Sequence, residues 1–140
     1  MTDSLSMVKS LKVSHQMLAE SVSQIQSASR SYSQAKPLLR DFYEKLLNHF
    51  SRQGGTFYES LFQFYQDDRP SGKMLEFLLH DLKDLKVRYL VFYELHAAEM
   101  TGGHPKTFSL DFAEFSGAIL ARIRMEEDYL LPLLEKISEI

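Results

Sequence analysis

The spacing of hydrophobic residues along the chain is helical almost throughout. Apolar side chains recur every three or four residues, which places them on one face of an α-helix, and no alternating strand pattern appears. The pattern predicts five helices: one within residues 1–35, then Pro37 to Arg52, Thr56 to Gln66, Lys73 to Met100, and a last helix starting near Ser109. Ser109 is predicted to cap that last helix, and Pro132, inside it, to bend its axis.

These helices predict a bundle. Long amphipathic helices joined by short loops bury their apolar faces best when they pack antiparallel. We therefore expect an all-α fold, an up-and-down antiparallel four-helix bundle with one arm interrupted at Gly54-Gly55, where glycine tolerates a left-handed backbone. Thr56 and Glu59 have capping-box spacing and are predicted to start the next helix. Residues 48–59, which join the second and third helices, are termed the corner.

Composition narrows the class of protein. At 140 residues the chain is expected to form a single domain, residues 1–140, and its 44% apolar and 25% charged residues are typical of globular proteins. A net charge of -3 argues against nucleic acid as the main partner. The absence of cysteine excludes disulfides and thiolate chemistry. No signal peptide or transmembrane stretch is apparent, so we expect a cytoplasmic protein without membrane association.

Two segments of the chain resemble a known family. Residues 41–59, DFYEKLLNHFSRQGGTFYE, are similar to the most characteristic segment of the Rsd/AlgQ family, bacterial regulators that bind the housekeeping sigma factor. The matching residues there are Asp41, Phe42, Leu46, Ser51, Tyr58 and Glu59, with Thr56 a near match. Asn48 stands where the family has Asp, and Gly54-Gly55 where it has His-Phe. Near the C-terminus the similar residues are Ala121, Arg122, Met125, Glu126, Glu127 and Leu130.

The resemblance implies a function. It implies an all-α, non-catalytic transcription regulator that sequesters the DNA-binding region of the housekeeping sigma factor, without cofactor or metal. The candidate partner-binding residues, carried over by position, are Asn48, Ser51, Gly55, Thr56, Tyr58, Arg122 and Glu126. A mildly acidic bundle suits such a partner, because DNA-binding regions present basic surfaces and complementary charge orients docking.

Two alternatives remain open. A hemerythrin-like di-iron sensor would use inward-facing histidines and acids, here His49, His80, His96, Glu99 and Glu126. Against it, the last helix has no histidine, and His15 and His104 are expected at the surface. The other alternative is a structural module that dimerises through aromatic residues of the third helix, with Tyr58 and Phe64 pointing away from the core.

Overall fold

The fold is an all-α helical bundle, as predicted. The computed structural model describes residues 4–28, 32–96 and 105–138. The helices are α1 (Ser4–Ala28), α2 (Tyr32–Arg52), α3 (Phe57–Phe64), α4 (Arg69–His96), α5 (Pro105–Met125) and α6 (Leu131–Ser138), with a π-helical segment (Glu126–Leu130) between α5 and α6. The four arms are α1, α2 continued by α3, α4, and α5 continued by α6. None of the described helices combines the length and the apolar character that crossing a bilayer requires.

The core follows the predicted helical periodicity. The buried face of α4 consists of Leu75, Leu78, Leu82, Leu85, Tyr89, Phe92 and His96, spaced three or four residues apart. Aromatic rings fill the centre of the bundle: Phe42 of α2 meets Phe112 edge-on with ring centroids 5.9 Å apart, and Phe92 of α4 stacks on Phe115 at 4.7 Å. Such contacts add to the stabilisation from burying the rings, so α2, α4 and α5 share one core.

The start of α4 differs from the prediction because an N-cap was not recognised. Asp68 lies between the predicted third and fourth helices, and its carboxylate accepts hydrogen bonds from the backbone N–H of Ser71 at 3.2 Å and from the Ser71 hydroxyl at 2.9 Å. These bonds lower the pKa of Asp68 and satisfy an N–H of the first turn. The helix therefore begins at Arg69 rather than Lys73. Residues 97–100, the predicted end of this helix, lie outside the described residues.

The corner contains the predicted glycine but not the predicted capping box. The second helix ends at Arg52, and Gly55 has a φ of +61°, the left-handed conformation that favours glycine. Thr56 has φ −96° and ψ 10° and makes no side-chain capping bond. An N-cap needs an extended backbone to present its hydroxyl to the first turn, so the capping-box prediction is wrong.

Two helices also begin earlier in the sequence than predicted. The second helix begins at Tyr32, so Pro37 lies inside it rather than in its first turn. The fifth begins at Pro105, so Ser109 is an interior residue and not its N-cap. A proline suits the first helical position because its missing N–H would have no partner there. Pro105 therefore marks the true start of the last arm.

The last arm is interrupted next to Pro132. Five residues, Glu126–Leu130, are π-helical, and the N–H of Leu131 bonds to the carbonyl of Glu126. Pro132 has no N–H to donate back to the preceding turn, and its ring crowds that turn. The predicted irregularity is therefore present, as a widened turn immediately before the proline. Such segments inside α-helices are frequent at functional sites.

Candidate functional site

The most unusual feature of the core is a carboxylate with four donors. Glu126 is completely buried. Its Oε1 accepts hydrogen bonds from Nε2 of His15 at 2.6 Å and Nε2 of His49 at 2.8 Å. Its Oε2 accepts from Nε2 of Gln53 and Nε of Arg122, each at 2.7 Å. A buried carboxylate needs such compensation, because burial otherwise disfavours its charge.

Arg122 links this carboxylate to the corner and to α4. Besides Glu126, its guanidinium donates to the carbonyl of Leu78 at 2.7 Å and to Asp81 at 3.2 Å. It also donates to Oε1 of Gln53 and to the hydroxyl of Tyr58, both at 3.0 Å. These contacts match the five N–H donors of a guanidinium. The buried network is defined as the six side chains His15, His49, Gln53, Tyr58, Arg122 and Glu126.

The two histidines of the buried network are held at both ring nitrogens. Nδ1 of His15 lies 3.0 Å from Oε2 of Glu127, so each of its nitrogens faces a carboxylate. Both nitrogens donate in that arrangement, which requires the protonated imidazolium. Nδ1 of His49 lies 2.8 Å from the hydroxyl of Ser14. Because the carboxylate of Glu126 accepts, Nε2 of His49 is the donor in the bond between these two groups.

The electrostatics of the buried network follow from these contacts. Burial alone raises the pKa of Glu126, but hydrogen bonds from His15 and His49 and the charge of Arg122 outweigh it and hold that pKa far below its usual range. Burial lowers the pKa of His15, and its two carboxylate partners more than reverse this effect, so that its pKa is raised. Burial raises the pKa of Tyr58 to about 12 despite the nearby Arg122.

The π-helical segment coincides with the buried network. Glu126 and Glu127, its first two residues, contact the two different nitrogens of the same His15 ring. Consecutive residues of a regular α-helix point in directions about 100° apart. The widened turn lies where these two neighbouring carboxylates converge on one ring. Glu126 is fully buried there, whereas the side chain of Glu127 is 49% exposed.

The predicted partner-binding residues fall into two groups. The exposed ones are Asn48, Ser51, Gly55 and Thr56. The buried ones are Tyr58, Arg122 and Glu126, which bond within the buried network. These three side chains do not reach the surface, because their polar atoms are used inside the bundle. The hypothesis that Tyr58 points away from the core is therefore wrong, whereas Phe64 is exposed as expected.

The residues of the di-iron alternative do not meet. His80 is 78% exposed and lies 3.7 Å from Asp84, while His96 pairs with Asp111 at 2.8 Å. Glu99 and His104 lie outside the described residues. Among the members of that set that the structure describes, only His49 and Glu126 come together, and the histidine that joins them is His15. The expectation that His15 lies at the surface is wrong, because it sits on the buried stripe of α1.

Two members of the buried network were missed by sequence reasoning, although a signal for each is present. His15 lies four residues after Leu11 and three before Leu18, in phase with the apolar stripe of α1. Gln53 follows His49 by four residues, as Glu126 follows Arg122, and this is the spacing of neighbours on one helix face, although Gln53 lies one residue beyond the end of α2. A polar residue in phase with the core is the signal that would have identified both.

Comparison with known proteins identifies no relative of this chain. No protein-family model, curated protein or solved structure matches the chain.

Proposed function

We propose that this protein is a non-catalytic transcription regulator, similar to the Rsd/AlgQ anti-sigma factors, that binds the DNA-binding region of the housekeeping sigma factor. The proposal places it in the cytoplasm and excludes direct binding to DNA. The observation that carries the proposal is the convergence of the two segments in which the resemblance lies. Tyr58 of the first segment is hydrogen-bonded to Arg122 of the second, 64 positions away, at 3.0 Å.

This convergence supports the resemblance because it gives the matching residues one physical role. Phe42, Leu46 and Leu130 are buried in the core, and Tyr58 and Arg122 join α3 to α5. Residues that match in two distant segments and meet in the folded chain are expected if both segments specify one architecture. A coincidental likeness of composition does not require such contacts.

The exposed part of the corner is the proposed contact surface. Asn48 and Ser51 lie on the outer face of α2 with the exposed apolar side chain of Leu47, and Thr56 lies at the turn. Glu44 and Glu59 are exposed there, and the exposed Arg52 is bonded to the carbonyl of Ser10 on α1. An apolar contact ringed by polar and acidic groups suits a basic protein surface, which such charges attract and orient.

The buried candidate residues, Tyr58, Arg122 and Glu126, then support the contact surface without touching the partner. Arg122 holds Gln53 and Tyr58, which flank the turn, and anchors them to Glu126. The network therefore fixes the backbone of the corner in one conformation before the partner arrives. A preorganised surface binds more tightly because less conformational entropy is lost on association.

The test is a titration of the purified chain with the isolated C-terminal DNA-binding region of the housekeeping sigma factor. Asn48→Arg and Thr56→Arg each introduce a bulky cation on the proposed surface. We expect each to weaken binding by at least about tenfold, or roughly 1.4 kcal/mol. Ser109→Arg is the matched control, because Ser109 is exposed on α5, far from the corner. It should bind like the wild type.

Two outcomes would contradict the proposal. If the folded wild type does not bind the sigma-factor region, the proposed identity of the partner is wrong. If Ser109→Arg weakens binding as much as Thr56→Arg, the contact surface is not the corner. Circular dichroism of each variant confirms that the helices are intact. The association rate should also fall with added salt, because the proposed attraction is between exposed charges.

A further inference from the structure

We propose that His15, His49 and Glu126 form a mononuclear binding site for a divalent metal ion of the zinc type. Within the part of the chain that the structure describes, these three side chains are the group suited to holding a metal ion. All are buried, and their ligand atoms lie within 4.8 Å of one another. The site is independent of sigma-factor binding, and it uses a different ligand set from the di-iron alternative, which needs His80 and His96.

The ligand atoms are of the right kind and close to the right geometry. Two imidazole nitrogens and one carboxylate oxygen are a ligand set of zinc sites that leave a fourth position open. The two Nε2 atoms now lie 2.6 and 2.8 Å from Oε1 of Glu126. Tetrahedral bonds of about 2.0–2.1 Å separate ligand atoms by roughly 3.3 Å. Each nitrogen therefore has to retreat by less than about 1 Å. Each Nε2 must also give up the proton that it donates to Glu126, either to solvent or to Nδ1 of the same ring, because a metal ion binds the unprotonated nitrogen.

The groups around the ligands are already those that a metal site requires. A metal-bound histidine commonly donates its other N–H to a carboxylate or another oxygen, which fixes the ring. Nδ1 of His15 faces Glu127 at 3.0 Å, and Nδ1 of His49 faces the Ser14 hydroxyl at 2.8 Å. The second oxygen of Glu126 is held by two N–H donors, so its first oxygen is the one presented to an ion.

An ion has a route to these ligands from solvent. A surface groove of about 540 Å³ between α1 and α6 is lined by His15, Glu127 and Glu135, among others. Glu127 is half-exposed at this groove while it contacts His15. Glu127 and Glu135 outweigh the positive charge of Lys12, which also lines the groove, so the groove favours the approach of a cation. The buried ligands behind it provide the affinity.

The experiment is calorimetric titration of the tag-free chain with zinc chloride, repeated with cobalt chloride, whose visible absorption reports tetrahedral coordination. We expect one ion per chain with a micromolar or lower Kd. His15→Ala and His49→Ala should each weaken binding by about 100-fold or more, because each removes one of three ligands. His80→Ala is the control, since it removes a surface histidine of the same kind, and it should leave the affinity unchanged.

A milder variant keeps the test decisive, because His15 and His49 are also core residues. Glu127→Ala changes a half-exposed residue that contacts a ligand but does not bind the ion. We expect zinc affinity to fall about 10- to 100-fold, the usual effect of losing such a partner, with the helical content retained. The proposal is overturned if the folded wild type binds no zinc, if Glu127→Ala and His15→Ala bind it like the wild type, or if His80→Ala is the damaging change.

Discussion

Replacing Arg122 by methionine tests whether the buried network stabilises the fold. Methionine retains the apolar stem of arginine but is shorter and has no N–H to donate. The variant removes every bond of a side chain that is 2% exposed. It leaves Asp81 and the carbonyl of Leu78 without this partner, and it leaves the negative charge of Glu126 buried with less compensation.

The magnitude follows from that last effect. Removing one partner of a buried ion pair costs roughly 3–5 kcal/mol, because the remaining charge stays out of water without its counter-ion. His15 still faces Glu126 at 2.6 Å and retains part of the compensation. We therefore expect the lower half of that range, about 3–4 kcal/mol. The melting temperature should fall by on the order of 10 °C in a chain of this size.

Urea unfolding followed by circular dichroism measures this loss. Arg124→Met is the matched control: it makes the same chemical change two residues away on the same helix, where the side chain is exposed. It should change the free energy of unfolding by less than about 0.5 kcal/mol. Adding Glu126→Gln to Arg122→Met should recover part of the loss, since the incompletely compensated charge of Glu126 disappears while His15 keeps Glu127 as a partner. If Arg122→Met is as stable as Arg124→Met, the network does not stabilise the fold as argued.

Three further predictions concern the core, the corner and the buried phenol. Phe42→Ala should lower the free energy of unfolding by about 3–5 kcal/mol in the urea assay. Phe77→Ala is its control, because the Phe77 ring is 52% exposed, and it should change that free energy by less than about 0.5 kcal/mol. Gly55→Ala should lower the free energy of unfolding, followed by thermal melting, by about 1 kcal/mol, because the φ of Gly55 is +61°. Gly72→Ala lies in a helix with open space around it and should instead raise that free energy by about 0.5–1 kcal/mol. Equal effects of the two substitutions would contradict this reasoning. Because the pKa of Tyr58 is raised to about 12, the stability from its neutral phenol is present below about pH 10 and is lost as the pH rises further. Tyr58→Phe should remove phenolate absorbance that appears near pH 12, and an unchanged titration would refute the assignment.

The fold was predictable because burial follows a period that the sequence displays. The buried residues of α4 repeat every three or four positions, and the same spacing predicted the bundle. The helix ends were less predictable because they depend on individual hydrogen bonds. Asp68 caps α4 from within a cluster that resembles an ordinary turn, while Thr56 has the composition of a cap but the wrong backbone. Composition identifies candidate caps, and backbone geometry decides which of them form.

The buried network was only partly predictable, since it assembles from positions far apart in the chain. His15 and Glu126 are 111 residues apart, and no local pattern links them. Their contact depends on α1 packing beside the last arm and on the widened turn next to Pro132. Arg122 and Glu126 were predicted to bind a partner, and no local pattern indicates their burial, because such residues are almost never fully buried unless paired. The partners that permit their burial come from other helices.

The two oxygens of Glu126 separate the two roles assigned to this region. Oε2 bonds to Arg122 and Gln53, so it belongs to the connection between the last arm and the corner. Oε1 accepts from the two histidines, its partners among the described residues, so it belongs to the proposed metal site. An ion bound at Oε1 replaces the two histidine contacts and leaves the Arg122 contacts in place. Contact with a partner at the corner and metal binding can therefore coexist in one chain, since each uses a different edge of the same carboxylate.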